Sequence, residues 1–427
     1  MLSISIRPGN FEKITARLFF CLCMLLAVLP QTAMGAGSLQ DVIDNAPAGS
    51  TIELPAGRFY GPVTIRKPLI LKGMGSLSVI DGNGSGTVVT VLSSDVTVKD
   101  IAIRNSGKQR HSLDAAIFVG GAERVRVEGC SIANTLFGII LSRSDSCAIR
   151  ENNISSYRED VVDNRGDAVR LWLSDANIIE RNRITGSRDL SLMRSDHNVI
   201  ESNNITDSRY GVYLQMCEDT SVIGNEIVSN YVGILSSGSK DTKITGNSIV
   251  KTRLATGVGI VIRRGGRHEI FHNTIMRHAQ AFYIDTSPAE RGMKRYIEYN
   301  RISLNNEAFH FHAIIKNNTI RNNNITDNLT DVVKNIRHTK SYDNDISLNY
   351  WDSYMGFDMD GDGIGDTPHN VLVYADKLWQ FDHHLKFFYA TPVLSIVDFI
   401  ERLAPFSEPL LLMRDSSPRI SPVDFKE

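Results

Sequence analysis

From about residue 98 onward, the apolar positions fall in short alternating runs that repeat. The unit is an aliphatic residue, two variable residues, an asparagine, one variable residue and an isoleucine. It reads Ile149-Arg-Glu-Asn152-Asn-Ile154 and Ile200-Glu-Ser-Asn203-Asn-Ile205, with further copies centred on Asn182, Asn225, Asn247, Asn273, Asn300, Asn323 and Asn344; Cys130 fills the same slot in Val127-Glu-Gly-Cys130-Ser-Ile132. A second landmark lies 14 residues before each slot, at positions such as Ala168, Asp189, Gly211, Gly233 and Gly259, and opens a run such as Gly211-Val-Tyr-Leu214. Runs this short, with period-two alternation, are strands and not helices. A sequence period between about 20 and 50 residues marks a solenoid. The pattern therefore predicts an all-β chain folded as a right-handed parallel β-helix solenoid, with rungs about 4.8 Å apart. Inward Ile, Val and Leu form its core. An inward asparagine can bond its amide to the rungs above and below, which makes a ladder.

The repeat divides the chain. Residues 36–97 read as an N-terminal cap and first rungs. Ser38–Asp44 predicts a short capping helix and Thr51–Tyr60 the first strands, because the open end of a solenoid is an unpaired sheet edge. The β-helix repeats then span 98–348, an acidic metal-loop segment closing the helix spans 349–384, and an apolar C-terminal tail spans 385–427. In that tail Val393–Leu403 has helical apolar spacing, which suits either a cap on the solenoid or docking to a membrane partner. Residues 1–35 read as a signal peptide that exports the chain to the periplasm. Arg7, Lys13 and Arg17 precede an apolar Leu18–Leu29, and Ala33-Met34-Gly35 supplies small residues before a cut.

Composition sharpens this picture. The chain has 427 residues with 46 Lys+Arg against 48 Asp+Glu, so it lacks the basic excess of a nucleic-acid binder. Its 30 asparagines nearly equal its 32 glycines, and the ladder is the use for them. Cys130, Cys147 and Cys217 remain after signal removal, too few for a disulfide framework. One disulfide plus a thiol, or three buried thiols, are both open.

The entry segment, the rungs and the stretch Asn349-Tyr-Trp351-Asp-Ser-Tyr-Met-Gly-Phe-Asp358-Met-Asp360-Gly-Asp362-Gly-Ile-Gly-Asp366-Thr-Pro368 together resemble the NosD family. That resemblance implies a non-enzymatic periplasmic accessory protein. It implies work with an ABC transporter, permease and ATPase, in maturation of the copper–sulfur centre of nitrous oxide reductase. A membrane-anchored copper chaperone is a further implied partner, and copper or a sulfur species the implied cargo. The alternative is a secreted polysaccharide lyase or epimerase, or a carbohydrate-binding β-helix. A lyase or epimerase calls for a carboxylate–basic cluster, and the sequence pattern displays none.

Two sets of residues carry candidate metal chemistry. Asp358, Asp360, Asp362, Ile364 and Asp366 offer oxygens at alternating positions of a Ca²⁺-type loop, with Gly363 at its sharp turn. His369 stands where a bidentate Glu would be expected, so that ligand would have to come from elsewhere. For transient Cu(I), rung alignment brings together Met193, His197, Met216 and Cys217, whose thioether, imidazole and thiolate groups suit the ion. His310 and His312 share a strand face, with His338 on the next rung. The alternative for both soft clusters is core methionines and surface histidines. Acidic residues Glu123, Asp145, Asp175, Asp196 and Glu218 also align, as expected of turns that bond backbone. The insert Ser156–Asn164 reads as a loop for a partner contact or as a plain insertion.

Overall fold

The computed structural model describes residues 38–290, 292–313, 316–335, 344–373, 391–393, 396, 399–400 and 410–425. Each regular rung contributes three strands, as in Ile178–Glu180, Arg183–Thr185 and Asp189–Met193. The first two of each rung join a sheet of 24 strands and the third a sheet of 12. Pairing between rungs is parallel and places like on like: Ile179, Ile200, Val222 and Ile244 stand in line and are fully buried. These columns make one core along the stack. The landmark glycine has a steric cause. A Cβ on Gly211 would lie 2.5 Å from Ile227 Cγ2 and 2.6 Å from the Gly233 carbonyl, so only the smallest residue allows the rungs to close there.

The rung turns at four corners, and each uses one device. One residue takes a left-handed conformation and the next points a small polar side chain inward. Ala176, Arg181, Gly186 and Arg194 have φ of 56°, 51°, 69° and 49°, and Asn177, Asn182, Ser187 and Ser195 follow them, buried. The left-handed residue costs on the order of 1–2 kcal/mol when it carries a Cβ. The inward residue offsets this by satisfying buried donors, because a rung corner leaves a backbone N–H without a strand partner. Asn203 shows the full pattern. Its Oδ1 accepts from Asn182 N at 2.9 Å and Asn182 Nδ2 at 3.0 Å, while its own Nδ2 donates to the Ile179 carbonyl at 2.9 Å and to Asn225 Oδ1 at 3.0 Å.

The predicted asparagine ladder therefore exists, with one correction at its end. Asn323 passes its bonds to Asn349, whereas Asn344 accepts from Asn318 at a different corner. The chain is longer between Lys334 and Asp345 than between Phe311 and Asn318 on the rung before, which moves the slot on to Asn349.

Both ends are closed. Helix α1, Leu39–Asn45, is capped by Ser38 with Asp41 in a reciprocal capping box, and buries Leu39 and Ile43 on the first rung. At the other end His369–Val373 pairs antiparallel with Leu410–Asp415, placing Leu412 and Met413 in the core. That part of the segment expected as a docking tail is thus built into the fold, because Leu412 and Met413 bury their side chains against the core. Residues 1–35, expected as a signal peptide, lie outside the described residues.

Candidate functional site

The corner device decides the fate of the soft-donor set. Met216 is a left-handed corner residue, φ 53°, and is 54% exposed; Cys217 comes next and points inward, 2% exposed. Its thiol donates to the Leu192 and Gln215 carbonyls at 3.5 Å, and burial raises its pKa to about 11. Cys217 is therefore turned away from the surface that Met216 occupies. His197 sits at another corner, φ 57°, with Nδ1 3.0 Å from Asp219 Oδ2; that bond raises its pKa. Met193 lies on the outer face of the 12-stranded sheet, beside Gln215 of the next rung, and its sulfur accepts from Arg170 Nη2 at 3.8 Å. Rung alignment placed Met193 and Met216 at successive offsets on adjacent rungs, but the register sets Met193 against Gln215, and the corner residues Met216 and Cys217 point to opposite sides. Cys130 and Cys147 are likewise inward and free, with pKa values pushed up by burial to about 12 and about 11.

The acidic loop brings Asp358, Asp360 and Asp362 together, with one carboxylate oxygen of each within 4.8 Å of the others. The chain is wound by its own carboxylates. Asp358 accepts from Gly361 N at 2.7 Å and Gly363 N at 2.9 Å, and Asp362 accepts from Ile364 N at 2.8 Å. These backbone bonds, the one from Gly363 foremost, hold the Asp358 carboxyl below its ordinary range. Asp366 closes the loop by accepting from Met359 N at 2.8 Å. Gly363 is left-handed at φ 85°, as the sharp turn requires. His369 begins a strand and packs its ring on Trp351, 5.1 Å between centroids, so it does not complete the loop.

One cluster escaped the sequence reading. Asp167 and Asp189 are buried to 1% and engage Arg188 and Arg209. Arg188 Nε and Ser191 Oγ donate to Asp167 at 2.8 and 3.0 Å, and the Tyr210 N–H donates to Asp189 at 3.0 Å. Burial raises the Asp189 pKa against the pull of Arg209. Arg209 also reaches Asp163 at 2.7 Å, and Arg110 donates to the Asp163 and Arg165 carbonyls at 3.0 and 2.7 Å. The insert is therefore strapped to the outer face of the sheet by this network. The carboxylates are consumed by these internal partners, unlike a pair poised beside a substrate. The aligned acids at the next corner are a ladder of their own: Asp175, Asp196 and Glu218 each donate a backbone N–H to the carboxylate of the rung before at 2.7 Å.

Large apolar side chains stand out in two places late in the chain. Met355, Phe357 and Met359 are 84, 78 and 88% exposed within the acidic loop, and the helical residues Val393, Ile396, Phe399 and Ile400 are all exposed.

A family model described as "Periplasmic copper-binding protein (NosD)" matches residues 151–356. The "Probable ABC transporter binding protein NosD" of Pseudomonas aeruginosa is 26% identical over 398 residues, covering 86% of this chain and 89% of that one. The chain is thus similar to NosD proteins along most of its length. A like-named NosD protein of Stutzerimonas stutzeri is 23% identical over 379 residues, covering 82% and 83%. Among solved structures, this chain resembles the A-module of the mannuronan C-5 epimerase AlgE6 of Azotobacter vinelandii, with TM-score 0.59 and 14% identity over 73% of this chain and 92% of that one. It also resembles the surface adhesin PfbA of Streptococcus pneumoniae, TM-score 0.50 and 11% identity over 70% and 91%. Those two likenesses are of fold: a right-handed β-helix serves an enzyme and an adhesin alike.

Proposed function

We propose that this chain is a non-enzymatic periplasmic partner of an ABC transporter and serves maturation of the copper–sulfur centre of nitrous oxide reductase. The observation that carries this reading is the similarity, over most of both chains, to proteins named as ABC transporter binding proteins. A stiff stack of rungs gives a long mixed-charge face for protein partners, and the exposed Met355, Phe357 and Met359 supply aromatic and thioether anchors of the kind interfaces use. These residues and the apolar stretch around Val393–Ile400 are the candidate contact with the permease. The membrane-anchored copper chaperone and the reductase are the candidate donor and client. In this reading Met193 and Met216 are the soft donors left at the surface for Cu(I), and the Asp358–Asp366 loop holds a structural Ca²⁺.

Deletion of the gene, followed by metal and spectral analysis of nitrous oxide reductase, tests the reading. A reductase lacking its copper–sulfur centre is expected; a fully assembled centre in the deletion strain overturns it. A double variant Met193→Ala with Met216→Ala is expected to lower Cu(I) affinity, and unchanged affinity removes that pair.

A further inference from the structure

Leu329 is 72% exposed and stands next to the loop that carries Met355, Phe357 and Met359. It turns the corner before the strand Thr330–Lys334, and the other three lie on the rung that follows. Two bonds join these pieces of chain. The Asp327 N–H donates to the Asp352 carboxylate, and Ser353 Oγ donates to Asp331 Oδ2 at 2.7 Å. The loop therefore starts beside Leu329. It is also tied down further along. Ile420 N donates to the Gly363 carbonyl at 3.1 Å, and Gly365 N donates to the Pro418 carbonyl at 2.8 Å. The four apolar side chains thus project from a braced surface.

Exposed apolar side chains with a polar rim mark a contact with a protein or with a membrane. The charge around these four decides between the two. Asp327 precedes Leu329, Asp352 precedes Met355, and Asp358 separates Phe357 from Met359, with Asp360 and Asp362 beyond. Among the described residues none of these five carboxylates has an ion pair with Lys or Arg. Asp352 and Asp358 bond backbone N–H groups of the same surface, which leaves their negative charge in place. His369, whose Nε2 lies 3.5 Å from Ser353 Oγ, adds no positive charge at neutral pH, because burial lowers its pKa. Arg419 turns its guanidinium to Asn322 Oδ1 at 3.2 Å. An anionic bilayer attracts Lys and Arg and repels carboxylates. The surface has the wrong sign for such a bilayer and the right sign for a cationic stretch of protein.

We propose that this surface receives a basic amphipathic segment of a protein partner. Leu329, Met355, Phe357 and Met359 take its apolar side chains, and the carboxylates between them take its lysines and arginines. Apolar anchors supply most of the affinity of such a contact, and complementary charge supplies its on-rate and its register. The two methionines suit it further, since unbranched thioether side chains repack against an incoming surface. Asp327 and Asp352 lie outside the three-carboxylate cluster, so Ca²⁺ in the loop lessens the negative charge without reversing its sign. The inference rests on the function proposed above only in taking a protein as the partner. The sign of the partner's charge comes from the residues.

The test titrates the full mature chain into a fluorescent amphipathic peptide of lysine and leucine and follows anisotropy. A glutamate–leucine peptide and vesicles of phosphatidylcholine with phosphatidylglycerol are the other arms. The lysine peptide should bind saturably, and at least about tenfold more weakly at ~1 M salt, where the screening length falls to about 3 Å. Leu329→Ser with Phe357→Ser should weaken binding at least about tenfold while the melting temperature stays put, because both side chains are exposed. Asp327→Asn with Asp352→Asn keeps an acceptor for the Asp327 N–H; it should weaken binding and flatten the salt dependence. Leu77→Ser, exposed at the other end of the stack, should change nothing. Wild-type affinity in the Leu329/Phe357 variant overturns the site. Absence of saturable binding, or equal affinity for the glutamate peptide, overturns it too. Tighter binding to the vesicles than to the lysine peptide makes the surface a membrane contact and equally overturns it. The gene-deletion experiment decides the maturation function separately from all of these.

Discussion

The Asp415 carboxylate is the last acceptor of the asparagine ladder: one of its oxygens receives Asn349 Nδ2 at 2.9 Å and the Asn349 backbone N–H at 3.1 Å. The same oxygen takes the Trp351 indole N–H at 2.9 Å, and all three residues are buried. Along the ladder each amide points its nitrogen toward the next rung, from Asn152 to Asn349. The amide dipoles are therefore aligned, with their positive end at Asn349, and an anion is the fitting terminus. The acceptor comes from the C-terminal strand, so the chain's end locks the stack that began more than 200 residues earlier.

Asp415→Ala should release that lock. It leaves three buried donors without an acceptor, each worth on the order of 1–3 kcal/mol. Repeat arrays lose stability from an exposed end, so hydrogen exchange should accelerate first in the rungs around Asn323 and Asn349 and leave those around Asn182 unchanged. Asp415→Asn keeps one acceptor oxygen and should fall between the two. Uniform exchange in Asp415→Ala would show that the carboxylate does not anchor the end.

Much of this was visible in the sequence because the same side chain recurs at the same corner. The main ladder is asparagine at nearly every rung, and period-two alternation gives its flanking strands away. The other three corners hide the same device behind mixed chemistry. One runs Cys147, Asn177, Asn198, Thr220, Thr242, His268, Arg295, Asn318, and no single letter marks it. The Asp167–Asp189 cluster was invisible for a related reason: it joins an insert of irregular length to neighbouring rungs, and periodicity carries no information about inserts. The error over Cys217 was one of direction. A left-handed residue reverses the alternation at each corner, so an offset that predicts proximity between rungs does not predict a shared face.

The three cysteines provide a check on that direction. All are free and buried, with thiol pKa values between about 11 and about 12. An aromatic disulfide reagent at pH 8 should find no reactive thiol in the folded mature chain and three in denaturant. Cys217→Ser should leave copper binding unaltered, since a hydroxyl serves as well as a thiol at a corner where Ser239 follows on the next rung. A raised folded-state thiol pKa favours the native state below the unfolded value of about 8.5, and that contribution is lost as pH climbs through about 11. Reaction of one thiol in the native protein at pH 8 would place that side chain outside the core.

The acidic loop should respond to Ca²⁺. Three carboxylates converge, with no ion pair to a cationic side chain among the described residues, and a hard divalent ion relieves their mutual repulsion. Ca²⁺ should protect Phe357–Gly365 from proteolysis and raise the melting temperature of the final rungs, and chelation should reverse both. Asp360→Asn should abolish the response while leaving the metal-free melting point nearly unchanged, because the bond Asp360 accepts from Asp362 N is long, at 3.3 Å. A loop equally protected with and without Ca²⁺ would assign the carboxylates to turn formation alone.

His278 predicts an acid limit for the fold. Its ring is buried and Nε2 donates to the Ile249 carbonyl at 3.0 Å, so it is neutral when folded, and burial lowers its pKa to about 4. A lowered pKa on a base means that the unfolded chain takes up the proton first. The stabilisation is complete above the unfolded value of about 6.5 and is lost as pH falls toward 4, a change on the order of 3 kcal/mol from this residue. His268, held at about 3 by burial and by Arg295, adds to the same slope. The slot of His278 is filled by Asn305 and Asn328 on the next two rungs, whose Oδ1 atoms accept from the backbone N–H of the slot residue on the rung before. His278→Asn should therefore fit the ladder, keep the stability at neutral pH, and flatten the decline between pH 6.5 and 4 in chemical denaturation followed by circular dichroism. An unchanged slope would mean that other groups set the acid limit.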